Sequence, residues 1–225
     1  MRLKAMAKIN LGLDVLGKRE DGYHEVRMIM QTIRMYDILD IRKTRRPGIV
    51  LTTNLPFIPT DQRNLVYKAA QMLMEEFDVE EGLSIKLRKF IPVAAGMAGG
   101  SSDAAAAFVG VNRMFHLGLT EEQLMERAVK VGADVPYCIM RGTALAEGIG
   151  EKLTRLPEVP KCYVLIGKPG INVSTKTAYE NLNLEGIGKH PDIDGLIGAI
   201  RNNDLYAMAS RMENVFESGI IRQYP

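Results

Sequence analysis

The chain has 225 residues, 46% hydrophobic and 25% charged, the composition of ordinary globular material with length for one large or two small domains. Twenty-nine Lys and Arg against 27 Asp and Glu leave a net charge of +2 spread along the sequence, which argues against a nucleic-acid partner. No apolar stretch approaches a membrane span, and the charges at Arg2, Lys4 and Lys8 lead into no signal-peptide core, so the expected address is cytoplasmic, with no membrane partner.

In chain order, Ile9, Leu11, Leu13 and Val15 alternate with Lys8, Asn10, Gly12 and Asp14, predicting a half-buried strand with Lys8 and Asn10 on its polar face. Asp21-Gly22 marks a turn, with Tyr23 and His24 directly after it. Tyr23 offers a ring on which a base can stack and His24 a hydrogen bond; packing at a strand start accounts for both equally well. Strands are predicted at 26–34, 38–42 and 49–53, and Arg42 to Arg46 reads as a solvated loop beside a strand end. Leu65, Val66, Ala69, Met72, Leu73 and Phe77 recur at helical spacing, and Leu83, Ile85 and Leu87 then alternate as a strand.

That strand leads into Pro92, Val93, Ala94, Ala95, Gly96, Met97, Ala98, Gly99, Gly100, Ser101, Ser102 and Asp103, a glycine-rich loop emptying into an alanine-rich helix. Such an arrangement suits a phosphate cradle: glycines let the backbone approach an anion, and the helix start presents unpaired N–H groups. Ser101, Ser102 and Asp103 are the N-cap candidates. A Walker A loop is excluded, because no lysine lies between Lys89 and Lys130; the dinucleotide fingerprint fails on glycine spacing. Further on, Thr120 to Gln123 has capping-box form, with Gly132 placed to end the helix. Gly132-Ala133-Asp134-Val135-Pro136 holds Asp134 on a constrained turn, where it serves either as a base or as a helix cap. Pro157 and Pro160 flank a connection, and Cys162 to Ile166 predicts a buried strand, with a domain boundary at 157/158. Cys138 and Cys162 lack metal spacing and read as reduced core thiols.

The pattern P-x-x-x-G-x-x-G-G-S-S-x-A at 92–104 resembles the phosphate motif of the GHMP small-molecule kinases, and the resemblance extends to Ala7-Lys8-Ile9-Asn10-Leu11, Asp21-Gly22-Tyr23-His24-Glu25, the Asp134 segment and Lys168-Pro169-Gly170. It implies an α+β two-domain kinase. Residues 1–157 would form a ribosomal-protein-like ATP domain, and 158–225 an incomplete ferredoxin-like substrate domain. The implied reaction moves the ATP γ-phosphoryl group to the 2-hydroxyl of a cytidyl diphosphate sugar alcohol in isoprenoid precursor synthesis, with Mg²⁺ accompanying ATP. By motif position, Lys8 and Asp134 match the catalytic pair, and Pro92 to Ser102 together with Asn64 match the ATP contacts. Asn10, Tyr23, His24, Thr175 and Tyr179 match the substrate contacts. Met6 stands where the family has proline. The chain ends before the family's third glycine- and serine-rich motif, so a C-terminally shortened kinase is expected, as monomer or homodimer. Another GHMP kinase, or a nucleotide-binding remnant without turnover, is the alternative.

Overall fold

The computed structural model describes residues 1–170, 178, 179, 182, 186–217, 219 and 221. They fall into two compact units, each assembled from separated stretches of chain. The first comprises Met1–Lys8, Thr32–Val93 and Met97–Arg141; the second comprises Ile9–Gln31, Ala94–Gly96 and the chain from Gly142 onward. Strands β1 (Arg2–Lys18) and β2 (His24–Thr44) run from one unit into the other.

In the first unit, β4 (Gly82–Arg88) pairs antiparallel with the far half of β2, from Ile38↔Arg88 to Thr44↔Gly82. On its other side β4 pairs parallel with β3 (Ile49–Thr53). Helix α1 (Leu65–Glu76) buries Val66, Ala69, Ala70, Leu73 and Met74, a stripe at i, i+3, i+4 and i+7, and packs on α2 (Gly99–Met114). Ala104 to Phe108 and Val111 turn α2 inward. Thr120 and Gln123 complete a reciprocal capping box that starts α3 (Glu121–Ala128), as the sequence predicts. The short α4 (Val135–Met140) follows, buried at every position.

In the second unit, β5 (Thr143–Gly148) pairs antiparallel with the near half of β2 and with β6 (Lys152–Leu156). Helix α5 (Ile193–Arg201) is capped by Asp192, whose carboxylate accepts from the Gly195 N–H, and it buries Ile193, Leu196, Ile197 and Ile200 against Leu11 and Ile29. Gly12 permits this packing, since a Cβ there would stand 2.9 Å from Ile193 Cδ1 and Leu196 Cδ2. Helix α6 (Leu205–Ala209), capped by Asp204, adds Met208 to the same cluster, and β7 (Glu213–Asn214) pairs parallel with Gly12 and Leu13 of β1.

The structure corrects several expectations. The strands predicted at 26–34 and 38–42 are one continuous strand, because Asp37, which interrupts the apolar pattern, stays in the ladder and satisfies its carboxylate with buried partners. The predicted polar face of β1 is covered: Lys8 and Asp14 are buried. Cys162 to Ile166 forms no strand, and Cys162 to Leu165 are exposed. An apolar run becomes a strand only where a neighbour completes its hydrogen bonds, and no described strand flanks this one. Cys162 is therefore not a core thiol, whereas Cys138 is. Strands β5 and β6 and helices α5 and α6 were not predicted. Among the described residues no helix is long and apolar enough to cross a membrane.

Candidate active site

Lys8 sits in β1 with its ammonium shielded from solvent, and its Nζ lies 3.9 Å from Asp134 Oδ2. Asp134 occupies the N-cap position of α4 with φ −81° and ψ −12°, yet its side chain makes no capping hydrogen bond. Its carboxylate, about one-third exposed, is left to face Lys8 and solvent. The turn is held by backbone instead: Val135 N–H donates to the Gly132 carbonyl and Cys138 N–H to the Asp134 carbonyl. Tyr137, fully buried, anchors α4 to β2 through a 3.0 Å hydrogen bond between its hydroxyl and Thr32 Oγ1. Burial, reinforced by the Asp134 charge, pushes the Cys138 thiol far up, so it stays neutral beside the pair.

The glycine-rich loop is tied to the same strand at two points. Lys8 N–H donates to the Met97 carbonyl at 3.2 Å, and Ser102 Oγ donates to the Met6 carbonyl at 2.6 Å. Within the loop, φ is positive at every second residue: Ala94 (54°), Gly96 (68°) and Ala98 (52°). A positive φ at alternate residues is a feature that backbone anion nests share, and α2 follows with the N-terminal N–H groups that a helix leaves unpaired. The expectation of an N-cap among Ser101 to Asp103 is corrected. The N-cap is Ala98, in the left-handed region and without a side-chain bond, while Ser101, Ser102 and Asp103 lie inside the helix. Gly99 and Gly100 keep negative φ, so only Gly96 of the three glycines uses its conformational freedom. A Cβ on Gly99 would stand 3.1 Å from Lys89 Nζ and 3.2 Å from Ile91 Cγ2, so a side chain there would crowd both.

Asn64 is the N-cap of α1, its Oδ1 accepting from Val66 N–H at 2.9 Å and its Nδ2 donating to the Pro59 carbonyl at 2.7 Å. In the second unit, His24 stacks on Tyr179 with ring centroids 4.8 Å apart at 29°, and Tyr179 meets Phe216 edge-on at 4.9 Å. Tyr23 is 58% exposed, and among the described residues its hydrogen bonds run through its backbone to Asp21 and Arg19. Asn10 is half-buried on β1, and Thr175 lies outside the described residues. Phe216 and the buried residues Asp37 and Lys89 are not among the residues the sequence singles out, and Asp103 is singled out there only as a helix cap. The one local signal at Asp37 is a charge inside the apolar pattern of β2, which also fits an exposed position. Among the described residues, no three His, Cys, Asp or Glu side chains are grouped to hold a metal ion.

A family model for the GHMP kinase N-terminal domain matches residues 64–142, spanning α1, the loop, α2 and the Asp134 turn. The 4-diphosphocytidyl-2-C-methyl-D-erythritol kinase of Lachnospira eligens is 56% identical over all 225 residues, which cover 78% of its length. The chain belongs to this family of GHMP kinases. The enzyme of the same name from Caldicellulosiruptor bescii is 51% identical, with 79% of its length covered. A crystal structure of 4-(cytidine 5'-diphospho)-2C-methyl-D-erythritol kinase superposes on the whole chain with a TM-score of 0.80 at 29% identity, and the chain covers 79% of it. A homoserine kinase from Cytophaga hutchinsonii, 18% identical with a TM-score of 0.66, shares the fold. The mixed α/β architecture is thus the GHMP kinase fold, and this family member is a kinase.

Proposed function

We propose that this chain transfers the γ-phosphoryl group of ATP to the 2-hydroxyl of 4-diphosphocytidyl-2-C-methyl-D-erythritol, a step of the methylerythritol phosphate route to isoprenoid precursors. The observation that carries the mechanism is the Lys8–Asp134 pair: a carboxylate at a helix start that does no capping, 3.9 Å from a buried ammonium whose own backbone holds the phosphate loop. Asp134 accepts the proton of the attacking hydroxyl as its oxygen bonds to the γ-phosphorus. The bond from that phosphorus to the bridging oxygen breaks, and ADP departs with the electron pair. Lys8 stabilises negative charge on the transferring oxygens, and the N–H groups of 94–102 hold the phosphates, so catalysis is mainly positioning and electrostatics.

Asn64 is assigned to the adenine side, and Asn10, Tyr23, His24, Thr175 and Tyr179 to the cytidyl substrate, the stacked rings of His24 and Tyr179 being suited to a nucleobase. Along the sequence, residues 1–157 are assigned to the ATP domain, of ribosomal-protein-like fold, and 158–225 to the ferredoxin-like substrate domain. Mg²⁺ bound with ATP would neutralise phosphate charge. Its protein ligand would be the hydroxyl of Ser101 or Ser102, since a hydroxyl that donates its hydrogen, as Ser102 does to the Met6 carbonyl, keeps its lone pairs for a cation.

ADP release, measured with the cytidyl substrate beside homoserine and mevalonate, tests the assignment; turnover with either of the latter in place of the cytidyl compound overturns it. Asp134→Asn is expected to lower turnover by about 10²- to 10⁴-fold with ADP affinity near wild type, and Lys8→Met to lower turnover more than affinity. Near-wild-type turnover of Asp134→Asn would return Asp134 to a structural part in the turn.

A further inference from the structure

Among the described residues, the mechanism leaves unused a buried cluster of three charged side chains, Asp37, Lys89 and Asp103. Asp37, completely buried in β2, accepts from the N–H groups of Phe90, at 2.5 Å, and Ile91, at 2.8 Å, the two residues before the loop begins at Pro92. Its other oxygen takes the ammonium of Lys89, which also donates to Asp103 Oδ2 at 2.6 Å. Asp103 lies in α2 just beyond the loop. Lys89 is fixed by its backbone too, its N–H donating to Asn54 Oδ1 and its carbonyl accepting from Asn54 Nδ2. One ammonium thus connects the segment entering the loop to the helix leaving it, passing beneath Gly99.

Burying charges is a poor way to gain stability, since apolar side chains of equal volume commonly do as well. Here two carboxylates share one ammonium, and Asp103 Oδ1 is buried without a partner. Burial, with Asp37 adding a like charge against the opposing pull of Lys89, raises Asp103 well above the carboxylate range. What the arrangement supplies is directional geometry at both ends of a loop whose alternating backbone must be set before phosphate arrives.

We infer that Asp37, Lys89 and Asp103 are positioning residues that fix the separation of the two ends of the phosphate loop, so that nucleotide affinity depends on them and acceptor affinity does not. This rests on the loop holding ATP phosphates, as proposed above. Calorimetry with ADP, together with KM for ATP and for the cytidyl acceptor, separates the outcomes. Asp103→Leu and Lys89→Met should weaken ADP binding and raise the ATP KM by about 10-fold or more, through lost preorganisation, with the acceptor KM within about twofold. Asp103→Asn, which keeps a carbonyl oxygen able to accept from the Lys89 ammonium, should stay within about threefold of wild type. Should Asp103→Leu fail to fold, Asp103→Ser, which removes the contact with less volume change, takes its place. A folded Asp103 variant without the contact that binds ADP like wild type, or that raises both KM values alike, overturns the inference while the kinase reading stands. Wild-type protein that does not bind ADP overturns both.

Discussion

Asp134 draws its chemical availability from what it does not do. At an N-cap position an aspartate ordinarily bonds the N–H groups of the first turn, which stabilises the helix by about 1 kcal/mol. Pro136 in that turn removes one donor, and the backbone angles of Asp134 keep its carboxylate off the others. Lys8 is positioned with comparable economy, because the strand that buries its ammonium also bonds the loop. Tyr23, which we propose as a substrate contact, presents an exposed ring at a turn where its N–H bonds the Asp21 carboxylate. Tyr23→Ala should therefore leave stability nearly unchanged and weaken the cytidyl substrate by about 1 to 3 kcal/mol, the scale of base–aromatic stacking. Calorimetry with the cytidyl substrate and with ADP checks this, and an equal loss for both ligands counts against stacking. The two cysteines differ as sharply: Cys162 is exposed, whereas Cys138 is buried with its thiol pushed up. A thiol reagent should titrate one group quickly, and Cys162→Ser should abolish that fast phase; two fast equivalents would mean that α4 opens readily.

Helix α2 shows how one element serves packing and site together. Its alanines and Gly110 let it lie close to β1 and β2, where a Cβ on Gly110 would meet Ile41 Cδ1 at 2.5 Å and Leu3 Cδ1 at 2.7 Å. Its first turn bonds Met6 through Ser102, and Asp103 reaches Lys89. Burial and Asp37 raise Asp103 in the folded state above its unfolded value, so the folded protein binds more protons than the unfolded chain from about pH 4 upward. Stability must then fall as pH rises through that window. Lys89 is raised as well, because although burial opposes its charge, Asp103 and Asp37 outweigh it. Its contribution persists to alkaline pH and is lost only as pH rises through the raised folded value. Denaturation at a series of pH values is expected to show Asp103→Asn gaining on wild type as pH rises from about 4 toward the raised folded value. Parallel curves would mean that Asp103 is ionised throughout.

At the scale of the whole molecule, the chain crosses between its two units several times: β1 and β2 belong to both, and residues 94–96 of the loop cluster apart from 97 onward. Separate expression of either unit is not a matter of cutting once. The segment beyond β6 behaves differently. From 161 to 165 every residue is exposed and none pairs in a strand, including Tyr163 and Leu165. Trypsin at low dose should cut first after Lys161, ahead of Lys152 and Arg155, which sit in β6. Mass spectrometry of the first fragments checks the order; initial cleavage within β6 would mean that the β5–β6 pairing is the weaker element.

Local chemistry was legible without coordinates. The Thr120 capping box, the α1 stripe, the β4 alternation and the glycine loop each depend on neighbours a few residues away, so the sequence alone determined them. The same holds for Lys8 and Asp134 as candidates, since their motifs are contiguous. Only the tertiary structure decided that the two lie 3.9 Å apart, that Asp134 does not cap, and that Ala98 is the N-cap of α2. It also decided that Asp37 is an anchor and not a break in a strand, and that Cys162 to Leu165 are exposed. In each case the outcome depends on a partner far along the chain. A charge in an apolar run is buried if a distant ammonium and two N–H groups meet it, and an apolar run is buried if a distant strand pairs with it. Neither condition is written in the residues themselves.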